Sequence, residues 1–191
     1  MSLTPDPNRI AAIVEFAQAA ERLKDTLRTG VTRGGRPEST AEHSWRLCLM
    51  AMLFSADMRE LNLLKLIKLC VVHDLGEAIS GDIPAPLQVA DAGRMERERA
   101  DLATLCRPLP DDLRDDILAL WDEYSMGQTA EAAAAKGLDK LETMLQHLIG
   151  QNPPDFDYSF NLGYGRRYTD RHPVLATARQ LVDDQTRMRI A

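Results

Sequence analysis

Cysteine, histidine and long apolar runs are all scarce in this sequence, and each shortage removes a class of protein. The three cysteines, Cys48, Cys70 and Cys106, are odd in number and widely spaced. They offer neither a disulfide framework nor a cysteine-rich zinc site. All three fall in apolar, helix-like stretches and read as core thiols in a reducing compartment, so the chain is expected in the cytoplasm. No window approaches the roughly 18 uninterrupted apolar residues of a membrane span. The opening MSLTPDPNR is polar and proline-punctuated, without an apolar signal region. A basic excess is missing too: the formal net charge is -6, which argues against a nucleic-acid polymer as partner. One small phosphorylated molecule remains compatible, because a local pocket of arginines would suffice. Neither a phosphate-cradling P-loop nor a nucleophile elbow is present, which removes two hydrolase mechanisms.

What remains is an ordinary globular balance, 45% hydrophobic and 27% charged over 191 residues, enough for one domain over 1–191 with a sizeable core. Helical periodicity dominates and convincing strand alternation is absent, so the expected fold class is all-α, a single helical bundle. The expected helices run from about Asn8 to Leu27, from near Thr40 through Phe54, from Leu61 to Ile79, from Asp91 to Leu105, from Pro110 to Tyr124, from Thr129 to Ile149 and from Pro173 to Met188. Ile10, Ile13 and Val14 mark an apolar stripe on the first. The third is apolar almost all round through LLKLIKLCVV and should be the central, buried one. Ser39-Thr40-Ala41-Glu42 has capping-box spacing. Trp45 and Trp121 read as core anchors. The aromatic segment Asn152 to Arg171 has little periodicity and could cap a pocket or a subunit interface.

The chemistry concentrates around two of the four histidines. His73-Asp74 closes the most apolar run, where a charged carboxylate is costly unless paired or metal-bound. Glu77 lies four residues after His73 on the same helix face, and Asp82 follows in the turn beyond. Four ionisable groups within ten residues at the end of a buried helix are hard to explain as packing. His43 lies one turn into its helix, after an arginine-bearing loop, and Asp139 sits among Leu138 and Leu141. Two imidazoles with two carboxylates make a mixed nitrogen and oxygen set that suits manganese, cobalt, iron, nickel or zinc better than calcium. His147, about 12 Å beyond Asp139 along a helix, is too far to share such an ion.

The pattern H…HD…D, with SxxEHSWR at 39–46, HDLGEAISGDIP at 73–84 and LDKLETMLQ at 138–146, resembles the HD-domain superfamily of metal-dependent phosphohydrolases. LKDTLRTG at 23–30 and WDEYSMGQTAEA at 121–132 extend the likeness toward the branch containing 5'-deoxynucleotidases, over a core of about 23–168. The resemblance implies that His43, His73, Asp74 and Asp139 hold one divalent metal, magnesium being a further candidate, and that Glu77 is the catalytic acid–base residue. It also implies that Arg28 orients the substrate phosphate and that Asp82 with the Ile83-Pro84 turn contacts the sugar. Bacterial members place a tryptophan directly after that arginine, whereas this chain has Thr29, which leaves the choice between deoxyribose and ribose open.

No histidine lies between Asp74 and Asp139, so one metal is expected rather than two. The Glu-Asp pair of the alarmone hydrolase branch is missing. The resemblance further implies a homodimer and a nucleoside monophosphate as substrate. Two rival readings stand beside it: a phosphohydrolase for another small phosphorylated metabolite, and a metal-stabilised helical binding protein without turnover.

Overall fold

The computed structural model describes residues 6–83 and 93–190. Helix α1 (Pro7–Ala20) starts on the Asp6 side chain, which accepts from the Asn8 amide. It stops seven residues short of Leu27, passes through a 3-10 turn (Glu21–Lys24) and gives way to strand β1 (Leu27–Val31). Strand β2 (Pro37–Ser39) pairs with β1 antiparallel, Leu27 opposite Ser39 and Val31 opposite Pro37. This small hairpin is the exception to the all-α expectation. Its strands of five and three residues, one interrupted by Gly30, are too short to display an alternation. Their order comes from outside: the Thr40 amide donates to the Thr26 carbonyl at 2.8 Å and the Gln146 side chain to the Val31 carbonyl at 2.5 Å.

Helix α2 (Thr40–Phe54) opens with the full capping box, Ser39 and Glu42 each bonded to the other's backbone amide. Helix α3 (Leu63–Val72), capped by Asn62, does not continue to Ile79. A tight turn covers 73–76, with the Leu75 amide donating to the Val72 carbonyl and the Glu77 amide to the Asp74 carbonyl. The single turn α4 (Glu77–Ser80) follows and ends at Gly81 with φ +83°, a left-handed conformation that favours glycine. Beyond it come α5 (Arg94–Leu105), α6 (Asp111–Met126), α7 (Ala130–Ile149), α8 (Ser159–Gly163), α9 (Arg166–Thr169) and α10 (Pro173–Ile190). The 152–171 segment therefore contains two short helices. The expected start of α5 near Asp91 lies outside the described residues.

Helix α7, rather than α3, is the centre. It buries thirteen residues against four for α3, and α2, α3, α6, α9 and α10 all pack on it. Leu47, Leu66, Leu69, Leu138, Leu141, Met144 and Leu175 form the main core. A second cluster gathers Val72, Leu75, Leu102, Leu105, Cys106 and Trp121 under α4. The apolar run of α3 is less enclosed than its composition suggests, since Leu64 and Val71 face outward. Helix α1 buries no residue, and its Ile10, Ile13 and Val14 are exposed. Trp121 is a core anchor, but Trp45 is 67% exposed. Its position on α2 points away from α3 and α7, a direction that the residue type alone does not reveal. Among the described residues no helix is long and apolar enough to cross a membrane.

Candidate metal centre

Three elements meet at one buried point. Helix α2 supplies His43, the turn after α3 supplies His73 and Asp74, and α7 supplies Asp139. The His43 and His73 Nε2 atoms are 3.3 Å apart. His43 Nε2 lies 3.4 Å from Asp139 Oδ1 and 3.9 Å from Asp74 Oδ2, while His73 Nε2 lies 2.9 Å from Asp74 Oδ2. Ligands about 2.1 Å from a common ion stand about 3.0–3.4 Å from one another in octahedral or tetrahedral arrangement. His43, His73 and Asp139 meet that spacing most closely, with donor atoms all within 4.8 Å of each other. Asp74 flanks them on the side of His73.

The hydrogen bonds decide what these nitrogens are. His73 Nδ1 is 2.8 Å from the Cys70 carbonyl, which only accepts, so Nδ1 carries the proton. His43 Nδ1 faces the Glu142 carboxylate in the same sense. In the neutral rings both Nε2 lone pairs therefore point inward, beside two carboxylates. Four acceptors thus face one another, a set that calls for positive charge beyond the flanking Arg28 and Lys140. In the metal-free protein a proton supplies part of it: burial opposes the charge, yet Glu142 and Asp139 push the His43 imidazole up to about 10. Burial is likewise overridden at Asp139, held well below the usual carboxylate range by Lys140 and His43. The donor set fits a divalent ion with mixed nitrogen and oxygen ligands.

Arg28, on β1, reaches Asp74 Oδ2 with Nη1 at 3.1 Å and Thr143 Oγ1 with Nη2 at 3.4 Å. Glu77 accepts from Thr40 Oγ1 at 2.9 Å. Burial, with Asp74 and Asp82 nearby, pushes its carboxyl up to about 9, so it is protonated at neutral pH. Arg28, Thr29, His73, Asp74, Glu77, Asp82 and Asp139 line one cavity of about 1410 Å³, walled opposite by Phe156, Phe160, Tyr164 and Tyr168 from the 152–171 segment. Ile83 borders a small neighbouring cleft instead, with Gly76 and Asp101. Pro84 lies outside the described residues.

A family model for the HD domain matches residues 20–179 of this chain, a span that contains all four clustered ligand candidates. The chain belongs to the HD domain family. It is 37% identical to the 5'-deoxynucleotidase HDDC2 of Xenopus laevis over 139 residues, covering 72% of this chain and 68% of that protein. It is 32% identical to the Dictyostelium discoideum protein of the same name over 141 residues, 70% and 74% of the two chains. The matched segments thus span about two thirds to three quarters of those relatives. Among solved structures, a protein of Magnetospirillum magnetotacticum described as a predicted metal-dependent phosphohydrolase superimposes with a TM-score of 0.76, at 30% identity, covering 96% of each chain.

The HD centre contains residues that reading the sequence left without a role. Glu142 is fully buried behind His43, and Arg46 bonds its Oε1 through Nε at 2.7 Å. Glu38, His43 and Glu142 also form a compact triplet. That triplet is no second metal site, because the Arg46 guanidinium already occupies it, 2.5 Å from Glu142 and 3.6 Å from Glu38. Tyr124 donates to Asp139 Oδ2 at 2.8 Å, and Lys140 pairs with the same oxygen at 2.8 Å, leaving Oδ1 toward His43. Trp121 Nε1 donates to the His73 carbonyl at 3.1 Å and pins the turn. The one available signal was spacing: Arg46 and Glu142 each fall three residues after a ligand candidate, His43 and Asp139. His147 bonds Asn161 Oδ1 at 2.8 Å and takes no part.

Proposed function

We propose that this HD-domain chain is a metal-dependent 5'-deoxynucleotidase, releasing phosphate from (deoxy)nucleoside 5'-monophosphates. The observation that carries the reading is the convergence of two imidazole Nε2 atoms and two carboxylates beside Arg28, at the floor of a cavity large enough for a nucleotide. The curated relatives named as 5'-deoxynucleotidases supply the substrate class. His43, His73, Asp74 and Asp139 would hold one divalent ion, with manganese, cobalt, iron, nickel, zinc and magnesium as candidates. Such an ion lowers the pKa of bound water toward neutrality and polarises a phosphoryl oxygen.

The chain's own residues supply the rest. Arg28 presents a planar fork to two phosphate oxygens, and its pairing with Asp74 fixes that fork beside the ligand set. Glu77, neutral at pH 7 in the metal-free protein, donates a proton to the departing sugar oxygen. Asp82, hydrogen-bonded with Glu77, reaches toward the sugar, with Thr29 lining the same cavity. The aromatic wall excludes water and faces the base.

The chain works as one domain, in the cytoplasm, where its three cysteines, free in the structure, stay reduced. It pairs as a homodimer, supported by the exposed Trp45, Leu49, Met52 and Leu53 on the outer side of α2. The test is phosphate release from deoxyribo- and ribonucleoside monophosphates with each metal and with chelator. Metal-dependent release that prefers the deoxy substrates bears the proposal out; equal release from both sugars makes the chain a broader nucleotidase.

A further inference from the structure

The two histidines of the metal centre are held from behind in different ways. His73 Nδ1 donates to a neutral carbonyl, that of Cys70, at 2.8 Å. His43 Nδ1 faces a carboxylate, Glu142, and both side chains are fully buried. A buried carboxylate is costly unless its charge is met. Arg46 meets it: Nε donates to Glu142 Oε1 at 2.7 Å, Nη2 lies 2.5 Å from the same oxygen, and Nη2 also reaches the Glu142 carbonyl at 3.4 Å. Arg46 lies one turn after His43 on α2, and Glu142 lies one turn after Asp139 on α7. The two helices that carry ligand candidates are thus tied together directly behind the centre.

From this arrangement we infer that Glu142, held by Arg46, is the positioning residue that fixes the His43 tautomer and ring orientation and so sets the metal affinity of the site. The inference rests on the metal-site reading given above. A carboxylate accepting from Nδ1–H keeps the Nε2 lone pair facing the centre and raises the basicity of that nitrogen. Arg46 aims Glu142, because both of its contacts with the carboxylate fall on Oε1 and leave Oε2 for the imidazole. Neither residue touches the ion or the substrate.

The test uses the full chain and Co²⁺, whose visible absorption reports its ligands, titrated against a chromophoric chelator. Wild type, Glu142→Gln, Arg46→Gln and the double variant are compared. Proton NMR of the His43 Nδ1–H is recorded on the zinc-loaded, diamagnetic proteins. Wild type should bind one Co²⁺ and show one strongly downfield, slowly exchanging Nδ1–H. Glu142→Gln should bind about 10- to 100-fold more weakly and lose that downfield signal. The double variant should match Glu142→Gln, since Arg46 acts through that residue.

A folded Glu142→Gln protein with Co²⁺ affinity within about twofold of wild type and an unchanged Nδ1–H signal would overturn the inference. So would a double variant in which the two losses multiply. Should Glu142→Gln fail to fold, Arg46→Gln, at the partly exposed end, carries the same readings. Its unaltered affinity and Nδ1–H signal would equally refute the role. Wild type that binds no Co²⁺ would instead sink the metal-site reading itself.

Discussion

Glu77 combines two properties that substitution can separate, a hydrogen bond to Thr40 and a carboxyl raised to about 9 by burial and by Asp74 and Asp82. Glu77→Ala should lower phosphate release by about 10²- to 10⁴-fold, the range for a lost general acid–base group, while bound metal stays at the wild-type level. Loss of metal together with activity would make it a ligand rather than a proton donor. The same carboxyl gives a pH prediction for the metal-free protein. Folded Glu77 keeps a proton that the unfolded chain releases above its ordinary 4.5. Stability contributed by that proton is therefore lost as pH rises toward 9. His43, raised from 6.5 to about 10, adds to the same slope: its contribution is full below 6.5 and lost as pH rises through 10. Thermal melts in chelator should fall steadily from about pH 6 to pH 9, and Glu77→Gln should flatten the fall. A melting temperature that rises over this range would contradict the assignment. At this scale the sequence was legible where chemistry is unusual for its place. A His-Asp pair closing an apolar run stands out. Glu142 and Arg46 do not, because charged residues on helices are ordinary until burial and partners are known.

The elements show how the ligands come to face one point. In a regular helix successive side chains diverge by about 100°, so a continuous 61–79 helix would separate His73 from Asp74. The turn over 73–76 removes that constraint, and Asp74 Oδ2 reaches within 2.9 Å of His73 Nε2. Gly76 permits the turn to lie against α5: a Cβ there would sit 2.8 Å from the Glu98 carbonyl oxygen. Gly76→Ala should therefore cost about 1–3 kcal/mol, as overpacking does, and weaken metal binding with it. A variant as stable as wild type would show that α5 yields freely. The apolar run revealed a helix but concealed this break, because apolar residues continue through it at Leu75, Ala78 and Ile79. The β1–β2 hairpin was hidden for a different reason. Its order depends on Gln146 and the 26–40 backbone pairing rather than on any periodicity of its own. Yet this hairpin carries Arg28 and Thr29 to the cavity.

For the molecule as a whole, a net charge of -6 coexists with a cavity that sets Arg28, Lys136 and Lys140 among the carboxylates Asp74, Glu77, Asp82 and Asp139. That mixed lining suits a metal ion with one small anion better than a polyanion. If the proposed homodimer forms through the outer side of α2, Trp45→Glu should convert a species of twice the chain mass into one of the chain mass in sedimentation equilibrium. Wild type already monomeric at high concentration would remove the dimer. The helical fold and the cluster of His73, Asp74, Glu77 and Asp82 could be read from spacing and apolar context, whereas His43 and Asp139 joined it through the family resemblance. The identity of the central helix could not be read that way, since α7 gains its burial from five partners spread along the chain. The most direct measurement of the central claim is phosphate release by the full chain from deoxynucleoside 5'-monophosphates, with manganese, cobalt and magnesium, before and after chelation. Release that requires a divalent ion, is lost in His43→Ala and Asp139→Ala and is restored by neither excess metal nor lower pH is the predicted result. A protein that binds metal at these residues but releases no phosphate with any ion would contradict it.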